Sequence, residues 1–174
     1  VFCTVSQAVA NSRLAALVRR HCPALRGDVR FERIPTGKFN ESYFVDTGGT
    51  ALVLRIAPPA DSVFLFYERD MMRQEPGLHR LLRERTAIPV PRILAFDDTR
   101  EVIDRDCLLM ARLPGEPLTS AAGVDEAAVL RQVGAMLAQA HALTADAYGY
   151  LGEHHPMPPQ RTWVEAFRAT GLPV

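Results

Sequence analysis

The sequence predicts an α+β fold, in which a five-stranded antiparallel sheet with flanking helices precedes a second, helical region. Three observations predict it: apolar residues at helical spacing open the chain, β-rich runs separated by turn residues follow, and helical spacing returns after a Pro- and Gly-containing linker. The charged residues, 20 of each sign, give no net charge. We therefore expect neither nucleic acid nor an anionic membrane as a partner.

An amphipathic helix is expected between residues 6 and 20, where apolar residues recur at helical spacing: Ala10, Leu14, Leu17 and Val18. Three β-rich runs follow at 29–34, 43–45 and 51–56. Between the second and third runs, residues 46–50 (DTGGT) supply glycines for positive φ. This pattern predicts a hairpin within three antiparallel strands.

Residues 62–84 carry apolar side chains on one helical face and predict one or two helices. Pro76 would break a continuous helix, so a second helix is expected to begin only a residue or three before it. Residues 88–91 (IPVP) predict an extended connector. Strands at 93–96 and 107–113 then complete the sheet of five strands.

The linker at 113–117 (LPGEP) predicts a domain boundary, with one domain at 1–113 and the beginning of a second at 114–174. In the second domain, Asp125 is the expected N-cap of a strong amphipathic helix. Residues 161–169 predict the start of another helix. The three cysteines fit no metal or redox spacing, so we expect buried or idle thiols and a cytoplasmic protein. The apolar stretches are too short to cross a bilayer, so no membrane partner is expected.

Five stretches of the sequence gain meaning from their order: 36–45 (TGKFNESYFV), 52–56 (LVLRI), 88–91 (IPVP), 108–115 (LLMARLPG) and 134–141 (GAMLAQAH). In this order and spacing the chain resembles the aminoglycoside phosphotransferase and choline kinase-like family. The resemblance implies a protein kinase-like small lobe, followed by the first helices of a helical large lobe. It also implies ATP as cofactor and phosphoryl transfer to a hydroxyl group of a small polar molecule.

The polar loop before the second strand is the first candidate site. Gly37, Lys38, Asn40 and Ser42 offer a tight turn whose amide groups can approach phosphate oxygens closely. An ordinary hairpin turn is the alternative explanation for the same residues.

Arg55 matches the strand cation that contacts the α and β phosphates in the family, and Val53, on the same strand face, matches the residue that lines the adenine pocket. The family usually has lysine at the position of Arg55, and arginine needs more room. The alternative is a strand-end arginine that reaches solvent. Glu75 is the expected carboxylate partner, with Glu68 and Glu84 as competitors. A solvated carboxylate on a helix is the alternative for Glu75.

Met110, Ala111 and Leu113 match the hinge segment, where backbone groups of the family hydrogen-bond the purine edge. Specificity for the base would then come from the main chain. A plain connector between strand and helix is the alternative for this segment.

The residues that perform phosphoryl transfer in the family cannot be placed in this chain. The family uses one aspartate to orient the substrate hydroxyl, and an asparagine and a second aspartate to hold Mg²⁺. No aspartate follows Asp146, and the only asparagines are Asn11 and Asn40. We therefore expect the catalytic loop, the Mg²⁺ ligands and the substrate site to lie outside a chain that is truncated before them.

The sequence leaves two alternatives to the ATP-binding half of a phosphotransferase. One is a non-catalytic kinase-like module that binds nucleotide or a partner protein, and the other is an unrelated α+β domain. A small lobe alone would expose apolar surface where the large lobe packs, so we also expect self-association.

Overall fold

A computed structural model describes residues 9–35, 39–60, 62, 65, 68–150 and 157–170. The described residues up to Met72 and Arg92–Arg112 form one compact unit. Arg73–Pro91 and the described residues from Leu113 onward form another. By these contacts residues 73–91 group with the second unit, and the predicted division into domains 1–113 and 114–174 stays a prediction. Their hydrogen bonds suit this grouping, because the Ala87 amide donates to Gln139 Oε1 at 2.8 Å.

Among the described residues, the first unit has one α-helix and a five-stranded antiparallel sheet, which confirms the predicted α+β fold. The helix is α1 (Asn11–His21), and the strands are β1 (Arg30–Ile34), β2 (Glu41–Asp46), β3 (Ala51–Ile56), β4 (Ile93–Asp97) and β5 (Cys107–Ala111). Their spatial order is β1-β2-β3-β5-β4. The strand β5 ends before the predicted residue 113, because the Arg112 amide bonds Ala51 O, at the very start of β3, and no partner strand extends further.

The predicted hairpin between β2 and β3 is present, and a glycine shapes its turn. Gly48 has φ of 78° and its amide donates to Asp46 Oδ1 at 2.8 Å. The glycine accepts positive φ without the steric cost of a side chain. This turn accompanies a regular register that runs from Asp46 opposite Ala51 to Glu41 opposite Ile56.

The core of the first unit lies between α1 and one face of the sheet. Leu14, Leu17 and Val18 of the helix form a buried cluster with alternate strand residues: Tyr43, Val45, Leu52, Leu54, Ile56, Cys107 and Leu109. Burial, followed by the negative charge of Asp97, raises the pKa of the Cys107 thiol to about 12. This thiol is therefore protonated and unreactive at neutral pH.

A polar contact joins the end of α1 to the end of β4. His21 Nε2 lies 2.7 Å from Asp97 Oδ2, and the amide and hydroxyl of Thr99 both donate to Asp97 Oδ1. Burial disfavours the Asp97 carboxylate, but the hydrogen bonds from Thr99 and His21 outweigh burial and lower its pKa. The contact fixes the helix on the sheet at the edge strand.

The second unit contains three helices: α2 (Glu75–Arg85), α3 (Glu126–His141) and α4 (Trp163–Ala169). A 3₁₀ helix at Met71–Gln74 leads into α2, which begins one residue before Pro76, as predicted. Asp125 is the N-cap of α3, as predicted, and accepts from the Ala128 amide at 3.0 Å. Among the described residues, no helix is long and apolar enough to cross a membrane.

Candidate functional site

The sheet face opposite α1 gathers several of the predicted site residues. Strand alternation places Ser42 and Phe44 of β2, Val53 and Arg55 of β3, and Met110 of β5 on this second face. We call it the open face because its residues do not belong to the buried cluster with α1, and we define it by these five residues. Ser42 lies opposite Arg55, and Val53 lies between Phe44 and Met110 in the register. A polar pair therefore adjoins an apolar row on one surface.

Arg55 is the cation of the open face. It is half-buried, and its cross-strand neighbours are Ser42 on one side and the fully buried Leu108 on the other. A guanidinium flanked by apolar surface is less hydrated than one in bulk water, so an anion gains more from binding it. This position suits contact with a phosphate group.

The predicted carboxylate partner of Arg55 lies in the other compact unit. Glu75 is the first residue of α2 and is half-buried. Of the two competitors, Glu68 belongs to the first unit, where its Oε2 accepts from the Leu65 amide at 2.9 Å. The other, Glu84, is exposed near the end of α2. The ion pair between Arg55 and Glu75 stays a prediction.

The structure describes only part of the polar loop. Gly37 and Lys38 lie outside the described residues. Asn40 is half-buried just before β2, and Ser42 is the second residue of that strand. The contribution of the loop to phosphate binding stays a prediction.

A buried ion pair anchors β2 directly after this loop. Arg105 Nη1 donates to Glu41 Oε1 at 2.7 Å, and the Tyr43 hydroxyl donates to Glu41 Oε2 at 3.1 Å. Burial, followed by the hydrogen bond to Glu41, raises the pKa of Tyr43. Glu41 lies within the motif that carries the family resemblance but is not among the predicted site residues. The sequence spacing does not predict the partner of Glu41, because Arg105 lies 64 residues away along the chain.

The predicted hinge begins at the end of β5. Met110 is buried, whereas Ala111 is half-buried and its amide donates to Arg92 O at 2.9 Å. Because that amide is already bonded, the carbonyl of Ala111 is the group better suited to a base. Leu113 is exposed and is the first residue of the second unit. The role of all three in binding a base stays a prediction.

Two further residues on this face are absent from the predicted site. The Arg112 guanidinium carbon lies 3.8 Å from the centroid of the Phe44 ring. Strand alternation from Val53 would have identified Phe44, because the two residues are cross-strand partners. Arg112 has no such signal, since its sequence position suggests only a backbone role at the hinge.

The described residues contain no group of three or more His, Cys, Asp or Glu side chains that could hold a metal ion. The resemblance implies Mg²⁺ ligands outside this sequence, and we assign the ion no ligand among the described residues.

The family of the chain follows from a comparison with known protein families. Residues 30–174 match the model of the phosphotransferase enzyme family. The chain belongs to this family. The match covers the whole sheet and the helical second unit, so the open face belongs to a phosphotransferase-family fold. No curated protein gives a significant match.

Solved structures with the same fold include several members of the phosphotransferase class. One, from Haemophilus somnus 129PT, is assigned as a fructosamine-3-kinase, with TM-score 0.60, 18% identity, and coverage of 88% of this chain and 49% of that chain. One from Ralstonia eutropha JMP134, assigned as an aminoglycoside phosphotransferase, has TM-score 0.56 and 21% identity, and the match covers 77% of this chain and 38% of that chain. A thermostable mutant of aminoglycoside phosphotransferase APH(4)-Ia, in ternary complex with AMP-PNP and hygromycin B, has TM-score 0.52 and 20% identity. This match covers 84% of this chain and 46% of that chain. The phosphotransferase-family chain thus spans less than half the length of these three structures.

Proposed function

We propose that this chain is the ATP-binding part of a phosphotransferase that acts on a hydroxyl group of a small polar molecule. The observation that carries the proposal is the open face. There the half-buried Arg55 lies opposite Ser42 in the strand register, beside an apolar row of Phe44, Val53 and Met110. Family membership supports phosphoryl transfer, and the AMP-PNP complex of APH(4)-Ia supports a nucleotide as the donor.

In this proposal the groups of the nucleotide site have distinct roles. The Arg55 guanidinium binds the α and β phosphates with two parallel hydrogen bonds and neutralises part of their charge. Val53 and Met110 cover the adenine, and the hinge at Ala111 and Leu113 bonds its edge. The polar loop that includes Lys38 contributes amide groups and a positive charge that bind the phosphates. Positioning and charge neutralisation, without a covalent intermediate, supply the rate enhancement.

The first test is the ATP affinity of Arg55→Ala measured by calorimetry. We expect a loss of about tenfold or more, because a charge-assisted hydrogen bond contributes about 1.5–3 kcal/mol. Arg55→Lys should bind with intermediate affinity, since it keeps the charge but not the planar donor pair. The matched control is Arg33→Ala, an exposed arginine on the opposite face of the same sheet. Equal ATP affinity in Arg55→Ala and wild type would refute the assignment of Arg55.

A second test concerns the groups that perform the chemistry. We propose that the aspartate, the asparagine and the Mg²⁺ ligands belong to a part of the protein outside this sequence. The intact mass of the natural protein decides this: we expect a mass well above 19.3 kDa. A mass near 19.3 kDa would contradict phosphoryl transfer by the family mechanism.

The alternative is a non-catalytic module that binds a nucleotide or a partner protein. It needs only residues that this sequence contains, whereas the catalytic aspartate, the asparagine and the Mg²⁺ ligands of the family cannot be assigned in it. ATP binding without Mg²⁺-dependent phosphorylation of any small hydroxyl compound, in the protein at its natural length, would support this alternative.

A further inference from the structure

The stack of Arg112 on Phe44 occupies one end of the open face. The guanidinium carbon lies 3.8 Å from the ring centroid, well within the distance of a cation–π contact. The backbone amide of Arg112 donates to the carbonyl of Ala51 at the start of β3. From there the Arg112 side chain crosses β3 diagonally to the ring of Phe44 on β2. The short side chain of Ala51 leaves room for this crossing. Both stacked residues belong to the first compact unit, so the stack is a property of the sheet itself.

The stack lies at one end of the apolar row formed by Phe44, Val53 and Met110. Phe44 is the cross-strand partner of Val53, and Val53 is the partner of Met110. Arg112 is exposed and lies two residues beyond Met110 along the chain. A planar guanidinium that rests on a ring with one side keeps its other side for a second flat partner. The ring also holds the long side chain in place, which reduces the entropy that a ligand must overcome.

We propose that the Phe44–Arg112 stack is a wall that binds the flat side of the nucleobase of the bound nucleotide. The purine lies against the outer side of the guanidinium, so that Phe44, Arg112 and the base form a three-layer stack. This inference rests on the proposed function, because it assigns residues to the same nucleotide site. It adds a stacking contact to a base site otherwise built from the hinge backbone and the apolar side chains of Val53 and Met110.

Stacking on a guanidinium uses the flat side of the base and not its hydrogen-bonding edge. The wall therefore favours any purine nucleotide over a ligand without a base, and it does not distinguish adenine from guanine. Arg55 behaves differently in this scheme, since it contacts phosphate and contributes whether or not a base is present.

The test compares three probes, ATP, GTP and inorganic tripolyphosphate, by calorimetry with wild type, Arg112→Ala, Phe44→Leu and Arg55→Ala. For Arg112→Ala we expect an affinity loss of about fivefold for ATP and for GTP, with tripolyphosphate binding unchanged. Phe44→Leu, which keeps an apolar side chain, should show the same selective loss. The double variant should lose little more than Arg112→Ala alone, because the two residues act as one unit. Thermal unfolding of each variant checks that the sheet is intact.

The outcomes separate this inference from the proposed function. An Arg112→Ala variant with unchanged or stronger ATP affinity, or with an equal loss for tripolyphosphate, overturns the base wall. If Arg55→Ala still weakens all three probes in that case, the proposed nucleotide site survives. Wild-type protein that binds none of the three probes overturns both.

Discussion

Asp97 is the residue whose surroundings predict a pH dependence of stability. Its carboxylate is 5% exposed and accepts hydrogen bonds from Thr99 and from His21, which together hold its pKa below the ordinary value of 3.8. A carboxyl with a lowered folded-state pKa stabilises the fold above its unfolded-state pKa. That contribution is lost as the pH falls through the folded-state value.

We predict that Asp97→Asn lowers the free energy of unfolding at pH 7 by about 1–2 kcal/mol. The difference from wild type should shrink as the pH falls below the ordinary carboxyl value of 3.8 and through the lowered folded-state pKa, where the wild-type carboxylate also becomes protonated. Urea unfolding over a pH series from 7 downward measures the effect. The control is Asp98→Asn, an exposed neighbour that should change little. A deficit for Asp97→Asn that is the same throughout the pH series would contradict the prediction.

How far single residues can be predicted from the sequence depends on their neighbours. Arg55 and Val53 are evident because a cation ends an apolar strand run and period-two alternation fixes their common face. The same alternation would reach Phe44, once the hairpin register is known. Arg112 escapes prediction, since only the folded sheet brings its side chain across Ala51 to the ring.

At the scale of elements, the start of β2 is fixed by the Glu41–Arg105 pair. Both side chains are buried, at 9% and 8% exposure, and Arg105 Nη1 also lies 3.4 Å from Ala57 O. Two charges removed from water stabilise a fold only while each compensates the other. The loss of one partner therefore costs more than the loss of both.

We predict that Glu41→Gln and Arg105→Met each destabilise the protein by about 3 kcal/mol. The double variant should be more stable than either single variant, because it removes both charges while the amide oxygen of Gln still accepts from Tyr43. Chemical unfolding of all four proteins completes the cycle. Additive losses would show that the two side chains do not compensate each other.

The boundaries of elements show where sequence patterns are sufficient. Asp125 and Pro76 mark the starts of α3 and α2 by local chemistry, and both positions were predicted. The start of α4 had a signal as clear, because Thr162 and Glu165 form a capping box in which each side chain bonds the other residue's amide. The end of β5 had none, since it depends on where β3 begins.

At the scale of the whole molecule, α3 presents an apolar stripe to solvent. Leu130, Val133 and Leu137 are 54%, 42% and 51% exposed, and no residue of α3 is buried. Their spacing places them on one side of the helix. Such a surface favours association with another apolar surface.

We predict that the 174-residue chain self-associates and that Leu130→Lys with Leu137→Lys makes it monomeric. Sedimentation velocity over a range of concentrations measures this. The control carries the same added charge on the opposite side of the helix, as Gln132→Lys with Ala135→Lys, and should still associate. Wild-type protein that stays monomeric at every concentration would contradict the prediction.

The five-stranded sheet and its hairpin could be predicted from local patterns, because glycines, prolines and alternating apolar residues act over short distances. The grouping of residues 73–91 with the second unit could not, since it depends on bonds such as Ala87 to Gln139, 52 positions apart.

The two faces of β2 and β3 also limit how this chain can change in evolution. Exchanges at Ser42, Phe44 or Val53 leave the cluster with α1 untouched, so that ligand preference can drift while the core persists. A single inserted or deleted residue within either strand would instead turn the core side chains outward beyond that point. We expect related sequences to vary here by substitution at alternate positions, with insertions confined to the turn around Gly48.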